Sequence, residues 1–188
     1  MILSLLFFSC SEDTNDTSQV KCVPHEEQTD TSSVKVSINW NFESFAFAVK
    51  ANKLSYFRMY SKRYANNGKI FISFFGLDKD SILYEDMFLT NIPFKAGCYN
   101  ITETYSQQNI GTGADYSTND HDILLDQYFT DTANANNRIE ILHIDSVNHL
   151  IEGSFAISFQ FQNQKPKKDP DTPDKIRFFN GYFKGKYE

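Results

Sequence analysis

The stretch from residue 56 to residue 64 combines tyrosines with basic residues in a pattern that could bind a ligand. In a β-strand every second side chain lies on the same face, and here that face carries Tyr56, Arg58, Tyr60, Lys62 and Tyr64. Tyrosine and arginine are enriched at binding interfaces, so this face could stack on a sugar or dock a protein. A solvated face of cross-strand pairs is the more ordinary interpretation, and a helix would instead turn the tyrosines toward the core.

An acidic segment between residues 115 and 126 is the second group that could do chemistry. Calcium takes about six to eight oxygen ligands, which Asp115, Asp120, Asp122 and Asp126 could supply in part. The segment lacks the glycine and glutamate spacing of an EF-hand loop, so these are weak metal candidates. The sequence instead predicts a solvated loop and a short helix from Asp120 to Phe129, with Asp120 as its N-cap. We expect no bound metal and no cofactor.

No arrangement of residues in the sequence identifies a catalytic site. None of the four histidines (His25, His121, His143 and His149) flanks a candidate nucleophile in a known motif. A glycine-flanked serine and a His-Glu-X-X-His motif are both missing. Paired carboxylates could cleave a glycosidic bond, but the sequence does not say which carboxylates would pair. We therefore predict a protein that is not an enzyme, a view that two facing carboxylates or a metal in a cleft would change.

Cys10 ends an apolar run at residues 1–9 and precedes a polar, acidic stretch. The run is shorter than the roughly 20 residues that span a bilayer and has the length of a signal-peptide apolar region. This pattern indicates a bacterial lipoprotein. Its signal peptide, residues 1–9, would be removed, and Cys10 would carry the lipid that holds the protein to the membrane. Because basic residues do not precede the run, we expect the true start to lie upstream; the alternative is an apolar terminus with a chance cysteine.

Residues 10–33 form an acidic segment with six carboxylates and one lysine. Its polar composition predicts a flexible tether that holds the domain away from the membrane. Cys22 and Cys98 remain once Cys10 is lipidated, and an even number of cysteines in an oxidising compartment favours a disulfide, with two free thiols as the alternative. The net charge of −6 provides no basic surface, so no nucleic-acid partner is expected.

The rest of the chain, residues 34–188, reads as a single β domain. Polar and apolar residues alternate in several runs, and aromatic and β-branched residues are frequent. Hairpin turns are predicted at Asn66-Asn67-Gly68 and at Asp145–His149. About eight to ten strands at this spacing indicate an antiparallel β-sandwich or a barrel-like domain. Besides 56–64, the predicted strands are Val34–Trp40, Phe45–Val49, Lys69–Phe75, Arg138–Ile144, Leu150–Gln162, Lys175–Asn180 and Tyr182–Tyr187.

Four short blocks in the second half of the chain resemble the recurring blocks of small Bacteroidota outer-membrane lipoproteins of uncharacterised function. In that family a glycine–X–tyrosine strand precedes a hairpin that ends in an isoleucine–X–glycine–X–phenylalanine strand. An asparagine–glycine–X–phenylalanine strand then closes the domain. The resemblance implies a β-rich fold and an envelope location, and brings no activity. The blocks are Gly97-Cys98-Tyr99-Asn100-Ile101, Arg138-Ile139-Glu140-Ile141, Ile151-Glu152-Gly153-Ser154-Phe155 and Phe179-Asn180-Gly181-Tyr182-Phe183.

Two further short sequences resemble signals of the same bacteria. Cys10-Ser11-Glu12-Asp13 is similar to the start of lipoproteins in which acidic residues after the cysteine direct export to the cell surface. This likeness implies a surface-exposed outer-membrane lipoprotein. Three Asp–Ser/Thr–apolar triplets resemble the acceptor of Bacteroidota O-glycosylation, which makes Ser81, Thr132 and Ser146 candidate acceptors, Thr132 first among them.

The sequence favours a membrane-anchored lipoprotein of the cell envelope with a binding or interaction role. Its expected partners are the membrane, through the N-terminal lipid, and a glycan or an envelope protein. One alternative is a glycan-binding accessory lipoprotein of a nutrient-uptake system, which clustered exposed aromatic residues would favour. Another is a lipocalin-like carrier of a small apolar ligand, which requires an open barrel interior.

Overall fold

A computed structural model describes residues 22–23, 34–37, 56–64, 67–104, 111–121, 123–162, 166–170 and 172–188. Within these ranges the chain forms eleven β-strands joined in one sheet and no helix, which confirms the all-β prediction. The predicted strand Phe45–Val49 lies outside the described residues. The strands are β1 (Val34–Ser37), β2 (Tyr56–Tyr64), β3 (Lys69–Leu77), β4 (Leu83–Pro93), β5 (Gly97–Asn100), β6 (Glu103–Thr104), β7 (Gly113–Asp120), β8 (Ile123–Thr130), β9 (Arg138–Asp145), β10 (Leu150–Phe161) and β11 (Lys175–Lys186).

Neighbouring strands pair in the order β1-β11-β10-β8-β7-β4-β3-β2, mostly antiparallel. Strand β10 is long enough to serve two partners along one edge: its first part pairs with β9 and its end pairs with β8. Strand β5 extends the sheet beyond β9. Among the described strands, β1 with β11 and β6 with β7 are the parallel pairs.

Strand β2, at one end of this sheet, meets the C-terminus of the chain beside β11. The backbone N–H of Arg63 in β2 donates to the carbonyl of Glu188 at 2.8 Å, and the Glu188 N–H donates back to the carbonyl of Ser61 at 3.0 Å. The Ser61 hydroxyl adds a bond to the carbonyl of Lys186 at 2.7 Å. The sheet therefore curls until β2 meets Glu188, just beyond the end of β11 at Lys186. The sheet is barrel-like where β2 meets the C-terminus. Strands from opposite parts of the sheet pack face to face, as in a sandwich.

The interior of the curled sheet is filled by large side chains. Phe74 of β3 contacts Phe155 of β10 across the interior, with ring centroids 5.5 Å apart. Tyr116 of β7 contacts Phe178 of β11 at 5.1 Å in the same way. Because these rings occupy the centre, the described part of the chain does not favour the lipocalin-like carrier. The largest fully buried side chains are Tyr116, Tyr128, Phe155, Phe159, Phe178, Phe183, Ile70, Ile72, Met87, Leu89 and Ile92.

Between β10 and β11 a glycine faces a phenylalanine twice, with each strand supplying one glycine and one phenylalanine. Gly153 lies opposite Phe183, and Phe155 lies opposite Gly181. A Cβ atom on Gly153 would collide with the Phe183 ring, and one on Gly181 would lie 2.7 Å from the Phe155 ring. Each ring therefore covers the glycine of the other strand. Two of the recurring blocks in the sequence are thus the two halves of one packing arrangement.

The predicted hairpin turns are found, and two other local predictions are wrong. Gly68 has φ +62°, the positive value that an Asn-Gly hairpin requires. Residues 120–121 and 123–129 belong to a β7–β8 hairpin and not to a helix, because period-two alternation buries Tyr128 against Tyr116 on the partner strand. The predicted strand pair at 175–187 is a single strand, β11, since Gly181 fits beneath Phe155 and does not form a turn.

The predicted disulfide between Cys22 and Cys98 is present. The two Cα atoms lie 5.7 Å apart, and the bond closes a loop across a sequence separation of 76 residues. In the chain-entropy model, a loop of this length stabilises the folded state by about 4 kcal/mol. The bond fastens the segment around Cys22 to β5, and through β5 to β9. In the described part of the chain, no helix has the length and apolar character needed to cross a membrane.

Candidate functional site

Strand β2 presents the predicted tyrosine and lysine face on the outside of the sheet. Tyr60 is half-buried, Lys62 is exposed and Tyr64 is 37% exposed, whereas Ser61 on the other face is buried. The antiparallel ladder that β2 forms with β3 excludes the helical interpretation. The Tyr60 hydroxyl donates to Oε2 of Glu188 at 3.2 Å. The backbones of Tyr56 and Arg58 form part of β2, but the structure does not describe their side chains.

The same outer face continues across β3 and β4 as a group of phenylalanine rings. Lys62 of β2 lies opposite Phe71 of β3. The Phe71 and Phe88 rings stack with centroids 5.7 Å apart, and Phe75 meets Phe88 edge to face at 5.9 Å. All three rings are half-buried. This group is hard to find from the sequence, because the run from Ile70 to Phe75 is mostly apolar on both faces, the pattern of a strand buried on both sides.

Two carboxylates lie among these rings. Asp86 of β4 lies opposite Phe75 of β3, and Asp115 of β7 lies between Phe88 of β4 and Phe129 of β8. Residue parity places all of these side chains on the face turned away from the core. We call this set the Phe–Asp face; its members are Phe71, Phe75, Asp86, Phe88, Asp115 and Phe129.

Asp86 is held as an acceptor by two neighbours on β7. The Ser117 hydroxyl donates to Oδ1 at 2.5 Å, and Nδ2 of Asn119 donates to Oδ2 at 3.0 Å. Burial raises the pKa of Asp86, and the two hydrogen bonds oppose that rise because they favour the ionised form. The carboxylate therefore has a fixed orientation, with both oxygens engaged.

Asp115 is held less completely. Its side chain is 7% exposed, and its Oδ1 is buried and receives no hydrogen bond from the residues that the structure describes. Burial and the nearby charge of Asp86 raise the pKa of Asp115 to about 7, against the lowering effect of a hydrogen bond from Gln127. Near neutral pH this carboxyl therefore exists in both its neutral and its charged form.

The other predicted metal candidates do not gather around Asp115. Asp120 is exposed and pairs with the His121 ring at 2.8 Å. Asp126 is buried, and its carboxylate accepts the backbone N–H groups of Lys168 and Asp169, so it anchors that loop. Asp122 lies outside the described residues. Across the ranges that the structure describes, no three metal-ligating side chains form a group.

Asp86 and Asp115 come from adjacent strands and share one face of the sheet. Glycosidases use two carboxyl groups that flank the scissile bond. Both oxygens of Asp86 already accept hydrogen bonds from Ser117 and Asn119, so we assign this pair no catalytic role.

The candidate glycosylation residues all occupy exposed turns. Ser81, Thr132 and Ser146 are exposed. Two of the three triplets also have a structural reason to begin with aspartate, because Oδ1 of Asp131 accepts the N–H of Ala133, and Oδ1 of Asp145 accepts that of Val147. Glycosylation at these residues stays a prediction.

Comparison with known proteins gives no match, whether with protein-family models, with curated proteins or with solved structures. The likeness of the sequence blocks to small envelope lipoproteins therefore stays a prediction. The function must be inferred from the chemistry of the Phe–Asp face and of the tyrosine face on β2 beside it.

Proposed function

We propose that this chain is a lipoprotein of the bacterial cell envelope whose β domain binds a glycan. The observation that carries the proposal is the strand register, which joins the tyrosine face of β2 to the Phe–Asp face of β3, β4, β7 and β8. The result is one continuous outer face of the sheet, with half-buried aromatic rings along it and two buried carboxylates among them.

This combination of groups suits a sugar. Aromatic rings offer flat apolar surfaces for the C–H face of a pyranose, and a small number of polar groups fixes its orientation. Carboxylates make strong charge-assisted hydrogen bonds to hydroxyl groups. An envelope protein would also meet tyrosines on such a surface, but the combination of rings with carboxylates is the one that suits a ligand rich in hydroxyl groups.

Binding should depend on the aromatic side chains of this face. We expect Tyr64→Ala and Phe75→Ala each to weaken binding about tenfold or more, a loss of about 1.4 kcal/mol, because each removes a stacking surface. A glycan array probed with the chain carrying Cys10→Ala, followed by calorimetry on the hits, measures this. Tyr60→Ala is a less direct test because that hydroxyl also bonds to Glu188.

Tyr182→Ala is the matched control. Tyr182 is a half-buried tyrosine on β11 that donates to Glu152 at 2.6 Å and lies outside the proposed surface. Its loss should leave glycan affinity unchanged. No binding to any glycan would overturn the proposal and turn the search to a protein partner, by crosslinking on intact cells.

The membrane attachment is proposed from Cys10 and the acidic tether that follows it. Lipid on Cys10 would leave the glycan-binding domain outside the bilayer, joined to it by residues 10–33. In the native host, metabolic labelling with a palmitate analogue should mark the wild-type chain and leave Cys10→Ala unlabelled and absent from the membrane fraction. Equal labelling of both chains would refute the lipidation site.

A further inference from the structure

Four connecting segments meet at one end of the curled sheet and pack on each other. The Phe94 N–H donates to the carbonyl of Gly68 at 2.8 Å, and the Tyr187 N–H donates to that of His149 at 2.9 Å. The centre of the Tyr187 ring lies 4.9 Å from that of Phe94 and 5.3 Å from that of His149. The β2–β3 turn, the β4–β5 connection, the β9–β10 turn and the residues after β11 therefore form one surface, which we call the basic end.

The charges at the basic end are mostly positive. The Arg63 guanidinium lies 4.6 Å from the centre of the Phe94 ring, and Lys95 is exposed in the β4–β5 connection. The described basic side chains here are Lys62, Arg63, Lys69, Lys95 and Lys186, and the acidic ones are Asp145 and Glu188. At the opposite end, the β3–β4 and β7–β8 turns carry Asp78, Asp80 and Asp120 against Lys79, and the described loop before β11 adds two lysines and two aspartates. Within the described domain, the basic end is therefore the one that attracts anions.

The β9–β10 turn adds an apolar tip to the basic end. Val147 is 88% exposed. The turn itself is fixed, because Oδ1 of Asp145 accepts the N–H groups of Val147 at 2.9 Å and of Asn148 at 3.0 Å. Cations beside an exposed apolar group suit an anionic membrane surface, where the cations attract lipid headgroups and the apolar group enters the boundary below them.

The Cys22–Cys98 disulfide orients the domain relative to the proposed anchor. Cys98 lies in β5, which begins at the basic end. The chain from Cys10 reaches the domain at Cys22, and a segment of that length spans at most about 40 Å. Without the bond, the attachment point would be β1, whose Val34 pairs with Ile176 toward the opposite end. The bond therefore holds the basic end on the membrane side.

We infer that the basic end docks on anionic lipid headgroups, with Val147 at the headgroup boundary and Arg63, Lys95 and Lys186 near the phosphates. The orientation rests on the proposed attachment through Cys10, whereas glycan binding is not assumed. The proposed binding face on β2, β3 and β4 is a side wall of the sheet, so docking leaves it open to solution.

The test couples the full chain to vesicles through Cys10. The chain has three cysteines, and Cys22 is bonded to Cys98, so Cys10 alone reacts with a maleimide-headgroup lipid. The coupling is chemical, so the result does not depend on whether a cell attaches lipid to this residue. The vesicles contain equal parts of phosphatidylglycerol and brominated phosphatidylcholine, whose bromine atoms quench tryptophan fluorescence in the bilayer.

Val147→Trp places the reporter at the basic end, and Lys79→Trp places a matched one on the β3–β4 turn, where Lys79 is exposed. The parent chain corrects for the emission of Trp40. We expect the vesicles to quench the Val147→Trp emission by about half or more and to leave that of Lys79→Trp unchanged. Vesicles without phosphatidylglycerol should quench Val147→Trp much less.

Lys95→Glu combined with Lys186→Glu should lower the ratio of docked to undocked chains about tenfold or more, because each cation near an anionic surface contributes about fivefold. Added salt should act in the same direction. The same reversal at the opposite end, Lys79→Glu with Lys175→Glu, should leave docking unchanged, since both lysines are exposed there.

Equal quenching of the two reporters, quenching that does not need phosphatidylglycerol, or quenching that survives the reversal at the basic end would overturn the inference. Absence of quenching at both positions would also overturn it, and would leave the acidic segment 10–33 as the partner to test for these cations. All of these outcomes leave glycan binding and the labelling of Cys10 in the host standing, because those are measured separately.

Discussion

Gly153→Ala should destabilise the folded chain by about 3 kcal/mol. A methyl group at this position meets the Phe183 ring on one side and the backbone carbonyl of Glu140 on the other. The ring could move only by disturbing its contact with Phe74, at 6.0 Å, and the carbonyl belongs to the ladder between β9 and β10. Urea unfolding followed by circular dichroism measures the change in the free energy of unfolding.

Gly185→Ala provides the control for that measurement. Gly185 lies on β11, and its nearest neighbour would be Sδ of Met59 at 2.8 Å, the end of a flexible side chain that can turn aside. We expect this variant to change the free energy of unfolding by less than about 1 kcal/mol. If Gly153→Ala and Gly185→Ala proved equally mild, the packing of Phe183 on Gly153 would not hold β10 and β11 together.

Asp115→Asn should make the protein more stable at alkaline pH. The pKa of Asp115 rises from the ordinary 3.8 to about 7 on folding. Between these two values the folded chain keeps a proton that the unfolded chain releases, so stability falls as the pH rises through this window. One pKa unit corresponds to about 1.4 kcal/mol, so the loss of folding stability above pH 7 is about 2 to 4 kcal/mol. An asparagine at this position does not ionise, so the variant avoids this loss of stability.

Urea unfolding at about pH 5 and about pH 8 tests this expectation. The wild-type chain should lose stability between the two, and Asp115→Asn should lose much less. Asp120→Asn on the same strand should follow the wild type, because Asp120 is exposed. A wild-type chain whose stability rose over this interval would contradict the raised pKa. A destabilising carboxylate at this position has a purpose if it binds the ligand.

Local patterns were enough to predict most of the strands and their turns. Alternation identified the part of β2 that carries Tyr60 and Tyr64, and Asn67-Gly68 identified the first hairpin, where Gly68 takes a positive φ in the connection from Tyr64 to Lys69. The prediction of a helix beginning at Asp120 is wrong because it, too, relied on a local pattern. Aspartate is a good N-cap, but the pairing of Tyr128 with Tyr116 in the core outweighs a local preference of about 1 kcal/mol.

The candidate site was harder to predict than the fold. Asp86 and Asp115 are far apart in the sequence, and they become neighbours only through the register that sets Phe88 opposite Asp115. A shift of one residue would turn both carboxylates into the core, and nothing local fixes that register. The tyrosines of β2 could be found because they alternate, whereas Phe75 lies in a run where both faces are apolar.

The Cys22–Cys98 bond also decides where mechanical force enters the domain. Strands β2, β3 and β4 all lie inside the covalent loop that it closes. Tension applied from the N-terminal side of Cys22 passes through the sulfur atoms to β5 and is borne first by its four residue pairs with β9. It does not run along the backbone between the cysteines. If the domain is pulled by the proposed lipid anchor in flowing liquid, strands β2, β3 and β4 of the proposed binding surface stay out of the line of force.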